Sequence, residues 1–162
     1  MERYARMLLH FVHGLTGRLN RVEAFLFATR LTRLTRALRV GDPDRALRAA
    51  VAETHDWSGG TRIGAALKDF TDTWGRRGLA RGAVVVIVSD GWESDDPAVL
   101  GEQMARLSRL THRIVWVNPR SKSERYQPLA GGMAAALPYV DVFTSGHSLA
   151  ALDDVLAAIA AD

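Results

Sequence analysis

The sequence predicts an α/β fold built around a mainly parallel sheet. The run Ala83-Val84-Val85-Val86-Ile87-Val88-Ser89 is apolar without alternation, the pattern of a strand covered on both faces. Arg113-Ile114-Val115-Trp116-Val117 repeats that pattern one helix later. Strand-like and helix-like segments then alternate at the spacing of βαβ units.

The elements read in order as follows. Glu2 to Leu19 carries Leu8, Leu9, Val12 and Leu15 at helical spacing, and Gly17 and Asn20 end it. Val22 to Ala28 is short, aromatic and β-rich, and is expected as a buried strand. Leu31 to Thr35 follows a tight turn and is expected as a short antiparallel edge strand. Asp42-Pro43-Asp44 supplies a cap and a proline near the first helical turn, opening a helix to about Thr54. Ser58-Gly59-Gly60-Thr61 is a loop, and Arg62 to Arg76 a helix. After the strand Ala83–Ser89, Asp95-Asp96-Pro97 caps a helix over Ala98 to Leu110. The strand from Arg113 ends at Asn118-Pro119. A loop, a short helix around Met133 to Leu137, a strand over Val140 to Thr144 and a helix over Ser148 to Ala160 complete the chain.

Composition limits the chemistry. With 162 residues, 48% of them hydrophobic and 24% charged, the chain has the size and balance of one globular domain, residues 1–162. It has no cysteine, which excludes a disulfide, a thiolate metal site and a cysteine nucleophile. No apolar run reaches the ~18–20 residues of a membrane span. His10 and His13 interrupt the only apolar stretch near the start, so no signal peptide is read and a cytoplasmic protein is expected. The net charge is +3, and residues 1–40 hold eight arginines against Glu2 and Glu23. A solvated helix face and a charge-protected edge strand account for that excess. A nucleic-acid surface is the other reading.

In an open α/β sheet, ligands bind beyond the carboxyl ends of the parallel strands. Asp90 falls there, in Ser89-Asp90-Gly91-Trp92-Glu93, and Thr61 lies in a Gly-rich turn at a helix start. An ionised and a neutral oxygen together suit Mg²⁺, which takes few protein oxygens. Each residue also has a structural reading, Asp90 as a turn cap and Thr61 as a helix N-cap. His10 and His13 share a face at i, i+3 but lack an evident third ligand. Neither a G-x-S-x-G elbow nor a G-x-x-x-x-G-K-[ST] loop occurs. Trp57, Trp74 and Trp116 read as core, whereas Trp92 sits on the ligand-side loop.

Three stretches stand out together: Ser58-Gly59-Gly60-Thr61-Arg62-Ile63-Gly64, Val88-Ser89-Asp90-Gly91-Trp92-Glu93 and Val115-Trp116-Val117-Asn118-Pro119. The tail adds Tyr126-Gln127-Pro128, Gly131-Gly132-Met133 and Ala136-Leu137-Pro138-Tyr139-Val140-Asp141. Together they resemble a von Willebrand factor A (VWA) domain of the CoxE-like type. The resemblance implies a Rossmann-like fold with helices on both faces of the sheet. It also implies a metal-ion-dependent adhesion site for Mg²⁺ or Mn²⁺. Thr61 and Asp90 match two of its motifs, and the D-x-S-x-S motif has no counterpart in the sequence. Met1 aligns just past that motif, so the family's first, central strand is expected to be missing and the metal site incomplete. Metal binding is then expected to be weak or absent. Gly60, Ser89, Gly91 and Trp92 are the expected partner-binding residues. The implied function is a non-enzymatic interaction module working with a MoxR-type AAA+ ATPase on a metalloenzyme client such as carbon monoxide dehydrogenase. The alternative is a small Mg²⁺-dependent phosphoryl-transfer or hydrolase domain using Asp90.

Overall fold

A computed structural model describes residues 2–19, 21–53, 60–120, 131–146 and 148–161. The expected loop residues Ser58 and Gly59, the Tyr126-Gln127-Pro128 stretch, Trp57, His55 and His147 lie outside the described residues. The chain divides into two compact units, Met1–Gly60 and Thr61–Asp162. No helix among the described residues is long and apolar enough to cross a membrane.

The first unit contains α1 (Glu2–Arg18), β1 (Phe25–Phe27), β2 (Leu31–Arg33), α2 (Thr35–Leu38) and α3 (Pro43–Glu53). Its core is Leu34, Ala37, Leu38 and Ala46, with Leu9, Val12, Ala24 and Leu26 packed against them. β1 and β2 pair antiparallel, with Phe25 opposite Arg33 and Phe27 opposite Leu31. The expected buried strand Val22–Ala28 is therefore a three-residue, half-buried one. A two-stranded ribbon buries one face only: Leu26 meets the core, while Phe25, on the other face by the period of two, lies under the Arg33 guanidinium at 6.0 Å. The expected strand to Thr35 stops at Arg33, and a helical turn begins at Thr35. The Thr35 hydroxyl accepts the Ala24 N–H at 2.9 Å and donates to the Glu23 carboxylate, which ties the turn to the start of the ribbon. His13 is structural, its Nδ1 2.7 Å from the Leu38 carbonyl.

The second unit holds α4 (Ile63–Phe70), β3 (Val84–Val88), α5 (Pro97–Ser108), β4 (Arg113–Asn118), α6 (Gly131–Ala136), β5 (Val142–Ser145) and α7 (Leu149–Ala160). α4 continues into a wider, π-helical stretch over Thr71–Leu79 that is kinked at Gly78, where φ is 116°, and a 3-10 turn over Leu137–Tyr139 follows α6. The strands form one parallel sheet in the order β3-β4-β5. Val88 pairs with Val117, and Asn118 with Ser145, so the carboxyl ends of all three strands stay level. α5 packs between α4 and α6, and α7 covers β4 and β5. β4 is the most deeply buried strand, with Ile114, Val115, Trp116 and Val117 in the core beside Leu100, Met104, Leu107 and Met133. This is the Rossmann-like α/β arrangement expected. β3 lies at one edge of the sheet, and β1 belongs to the separate two-stranded one.

Two helices start on side chains the sequence offered for that role. Asp96 accepts the Ala98 N–H at 2.9 Å with Pro97 next to it, and Ser148 accepts the Ala151 N–H at 3.3 Å.

Candidate functional site

The chain leaves β3 at Val88 and turns immediately. Ser89 keeps the ladder going by donating its N–H to the Val117 carbonyl at 3.1 Å. Its hydroxyl accepts the Gly91 N–H at 3.1 Å. Asp90 then closes an Asx turn, Oδ1 accepting the Trp92 N–H at 3.1 Å. Gly91 has φ 78°, and a Cβ there would stand 2.9 Å from the Met133 Cβ. Glycine is required on both counts. The turn throws the Trp92 side chain outward, where it is 68% exposed.

Below the turn, two buried side chains of β4 hold the backbone. The buried Trp116 indole donates to the Ser89 carbonyl at 2.9 Å. Asn118, fully buried at the end of β4, reaches the Asp90 carbonyl through Nδ2 at 3.5 Å and accepts the Arg120 N–H at 2.8 Å through Oδ1. Arg120 Nη1 in turn stands 3.4 Å from Asp90 Oδ2.

Glu93 does the next piece of work. Its Oε2 accepts the Gly64 N–H at 2.7 Å and its Oε1 the Asp95 N–H at 2.9 Å. A carboxylate thus sits on the Gly64 N–H in the first turn of α4, where the helix dipole also favours it. Ser94 N–H donates to the Thr61 carbonyl at 2.9 Å, and Thr61 N–H donates to Ser94 Oγ at 3.0 Å. Arg62 Nε donates to Asp95 at 2.7 Å.

The structure therefore joins the segment Thr61–Gly64 to the loop Asp90–Asp95, bringing the two expected metal-ligand segments onto one surface. Asp90 takes the turn-cap role that was one of its two readings. Thr61 is not the N-cap of α4. Arg62 holds that position without a side-chain cap bond, because Glu93 reaches in from across the fold to take the Gly64 N–H. Of the expected partner-binding residues, Ser89, Gly91 and Trp92 form this turn, while Gly60 is the last residue of the first unit. Asn118, Arg120, Glu93 and Trp116 are site residues that no motif singled out. The rule that placed Asp90, position beyond the carboxyl end of a parallel strand, applies equally to Asn118 on β4 and marks it.

The Mg²⁺ or Mn²⁺ that the resemblance implies needs open oxygen ligands. The residues present do not fit such an ion as they stand. Asp90 is the one carboxylate of the two expected ligands, and both its oxygens are engaged, one by the Trp92 N–H and the other by the Arg120 guanidinium.

No curated protein matches the sequence. A family model described as VWA domain containing CoxE-like protein matches residues 1–152. It spans the Gly60–Gly64 segment, the Ser89–Glu93 turn, the Trp116-Val117-Asn118-Pro119 stretch and the Gly131-Gly132-Met133 helix start. With that match over most of its length, the chain belongs to the CoxE-like family of VWA-domain proteins.

Proposed function

We infer that this protein is a non-enzymatic docking module. Its partner is a MoxR-type AAA+ ATPase, and the pair serves the maturation of a metalloenzyme such as carbon monoxide dehydrogenase. Family membership supports the reading, and one observation carries it on the molecule. Trp92 is a large, exposed aromatic on a turn fixed from beneath by Trp116, Asn118 and Glu93. A rigid exposed aromatic is the usual anchor of a protein interface, because it brings a large apolar area at little cost in entropy. No phosphate loop accompanies it, so the ATPase supplies the energy.

The test is capture of a purified MoxR-type ATPase by the immobilised chain. Trp92→Ala is expected to weaken capture at least about tenfold without shifting the unfolding midpoint, since Trp92 lies outside the core. Undiminished capture by Trp92→Ala, or none by the wild type, overturns the reading. ATP turnover by the chain alone, lost in Asp90→Asn, would establish the enzyme instead.

A further inference from the structure

Asp90 and Arg120 are paired by the backbone as well as by their charges. One buried side chain, Asn118, holds both: Nδ2 contacts the Asp90 carbonyl and Oδ1 accepts the Arg120 N–H. Arg120 follows β4 by two residues, which delivers its guanidinium to the carboxylate at the end of neighbouring β3. The Arg120 side chain remains 70% exposed while the Asp90 side chain is 22% exposed. A guanidinium carries five N–H donors, and the exposed Arg120 side chain offers them to solvent as well as to Asp90. The same carboxylate fixes the Trp92 backbone. Asp90 therefore organises two outward groups, an aromatic and a cation.

We propose that Arg120 is the resident cation of this site, on which a partner's carboxylate docks beside Trp92 without a divalent ion. The proposal rests on the docking reading above and names the chemistry of the partner: an acidic segment. Guanidinium suits the task because its planar fork matches a carboxylate in two parallel hydrogen bonds. A divalent ion arriving at Asp90 must displace the guanidinium from Oδ2, and Asn118 keeps the displaced cation's backbone in place beside it. Arg120 and a divalent ion are thus competitors for one carboxylate.

Two measurements on the full chain test this. The first is Mn²⁺ titration. Removing a tethered competitor in Arg120→Ala is expected to tighten Mn²⁺ binding about three- to fivefold. Adding Asp90→Asn to that variant should cancel the gain. The second is fluorescence anisotropy of a labelled oligoglutamate peptide in EDTA. The wild type is expected to bind it. Arg120→Ala should weaken binding about three- to fivefold, and Arg120→Lys, which keeps the charge but not the fork, should recover only part. Unchanged Mn²⁺ affinity in Arg120→Ala overturns the proposal, as does peptide binding that EDTA abolishes. Neither measurement uses the ATPase, so failure of the docking partner and failure of the resident cation give different results.

Discussion

The indole N–H of Trp116, buried in the middle of the sheet, donates to the carbonyl of Ser89 at 2.9 Å, one residue before the turn that carries Asp90. A core side chain on β4 thereby holds the exit of β3. Trp116→Phe keeps the ring but leaves that carbonyl without the indole donor. The loss of one such bond is expected to cost about 1–2 kcal/mol, seen as a lower urea midpoint with unchanged slope. A midpoint equal to that of the wild type would show that water or another donor replaces the indole.

Glu93 offers a graded version of the same test. Both its oxygens accept backbone N–H groups, from Gly64 and Asp95. Glu93→Gln keeps one acceptor oxygen and loses the charge at the start of α4, whereas Glu93→Ala loses both acceptors. The expected order of thermal stability is wild type, then Gln, then Ala, with a total loss of about 2 kcal/mol. Equal loss in the two variants would mean that only the charge matters.

The sheet was legible in the sequence because β3 and β4 are unbroken apolar runs, and such runs have little alternative to burial. The helix at Pro97 was legible because Asp96 and Pro97 act within their own segment. Thr35 shows the limit. A β-branched residue after Leu31-Thr32-Arg33 reads as more strand, and its helical turn is decided by a hydroxyl bond to Glu23, twelve positions away. The site divides the same way. Asp90 and Trp92 were found from their place after a strand, while Glu93 and Arg120 act across the fold on Gly64 and Asp90, and sequence spacing holds no trace of those pairings. The Thr61 N-cap failed for this reason: a local rule lost to a carboxylate brought in by the fold.

Glu23 gives the first unit a dependence on pH. Burial would raise its carboxyl, but hydrogen bonds from Thr35 and Arg33, with the charges of Arg33 and Arg39, outweigh that and hold it below the ordinary value of 4.5. A depressed folded value means that the folded state favours the ionised form. Its stabilising contribution is then complete above about pH 4.5 and is lost as the pH falls through the folded value. Glu23→Gln should be less stable than the wild type near neutrality, and the gap should close on acidification. Denaturant melts at several pH values measure it. A gap that stays constant down the acid limb would show that Glu23 does not titrate as argued.

The closest approach at the site is made by Gly132, near the start of α6. A Cβ there would lie 2.4 Å from the Gly91 carbonyl oxygen and 2.8 Å from the Glu93 Cβ. Both obstacles belong to the turn that carries Trp92, and the first is backbone, which cannot rotate away. Gly132→Ala must therefore push α6 off the turn or reshape the turn itself. Overpacking of this kind is expected to cost about 1–3 kcal/mol, and it should weaken capture of the ATPase because Trp92 loses its support. Gly101→Ala is the control. It lies in α5, where an added Cβ would meet the Ala135 carbonyl oxygen at 3.6 Å, an ordinary contact. Alanine suits a helix interior better than glycine, so Gly101→Ala should match or exceed wild-type stability, by up to about 1 kcal/mol. Thermal melts of the two variants beside the wild type, with capture measured on each, decide the matter. If Gly132→Ala melts and captures like Gly101→Ala, the helix start is not what holds the Trp92 turn, and the support must come from Trp116, Asn118 and Glu93.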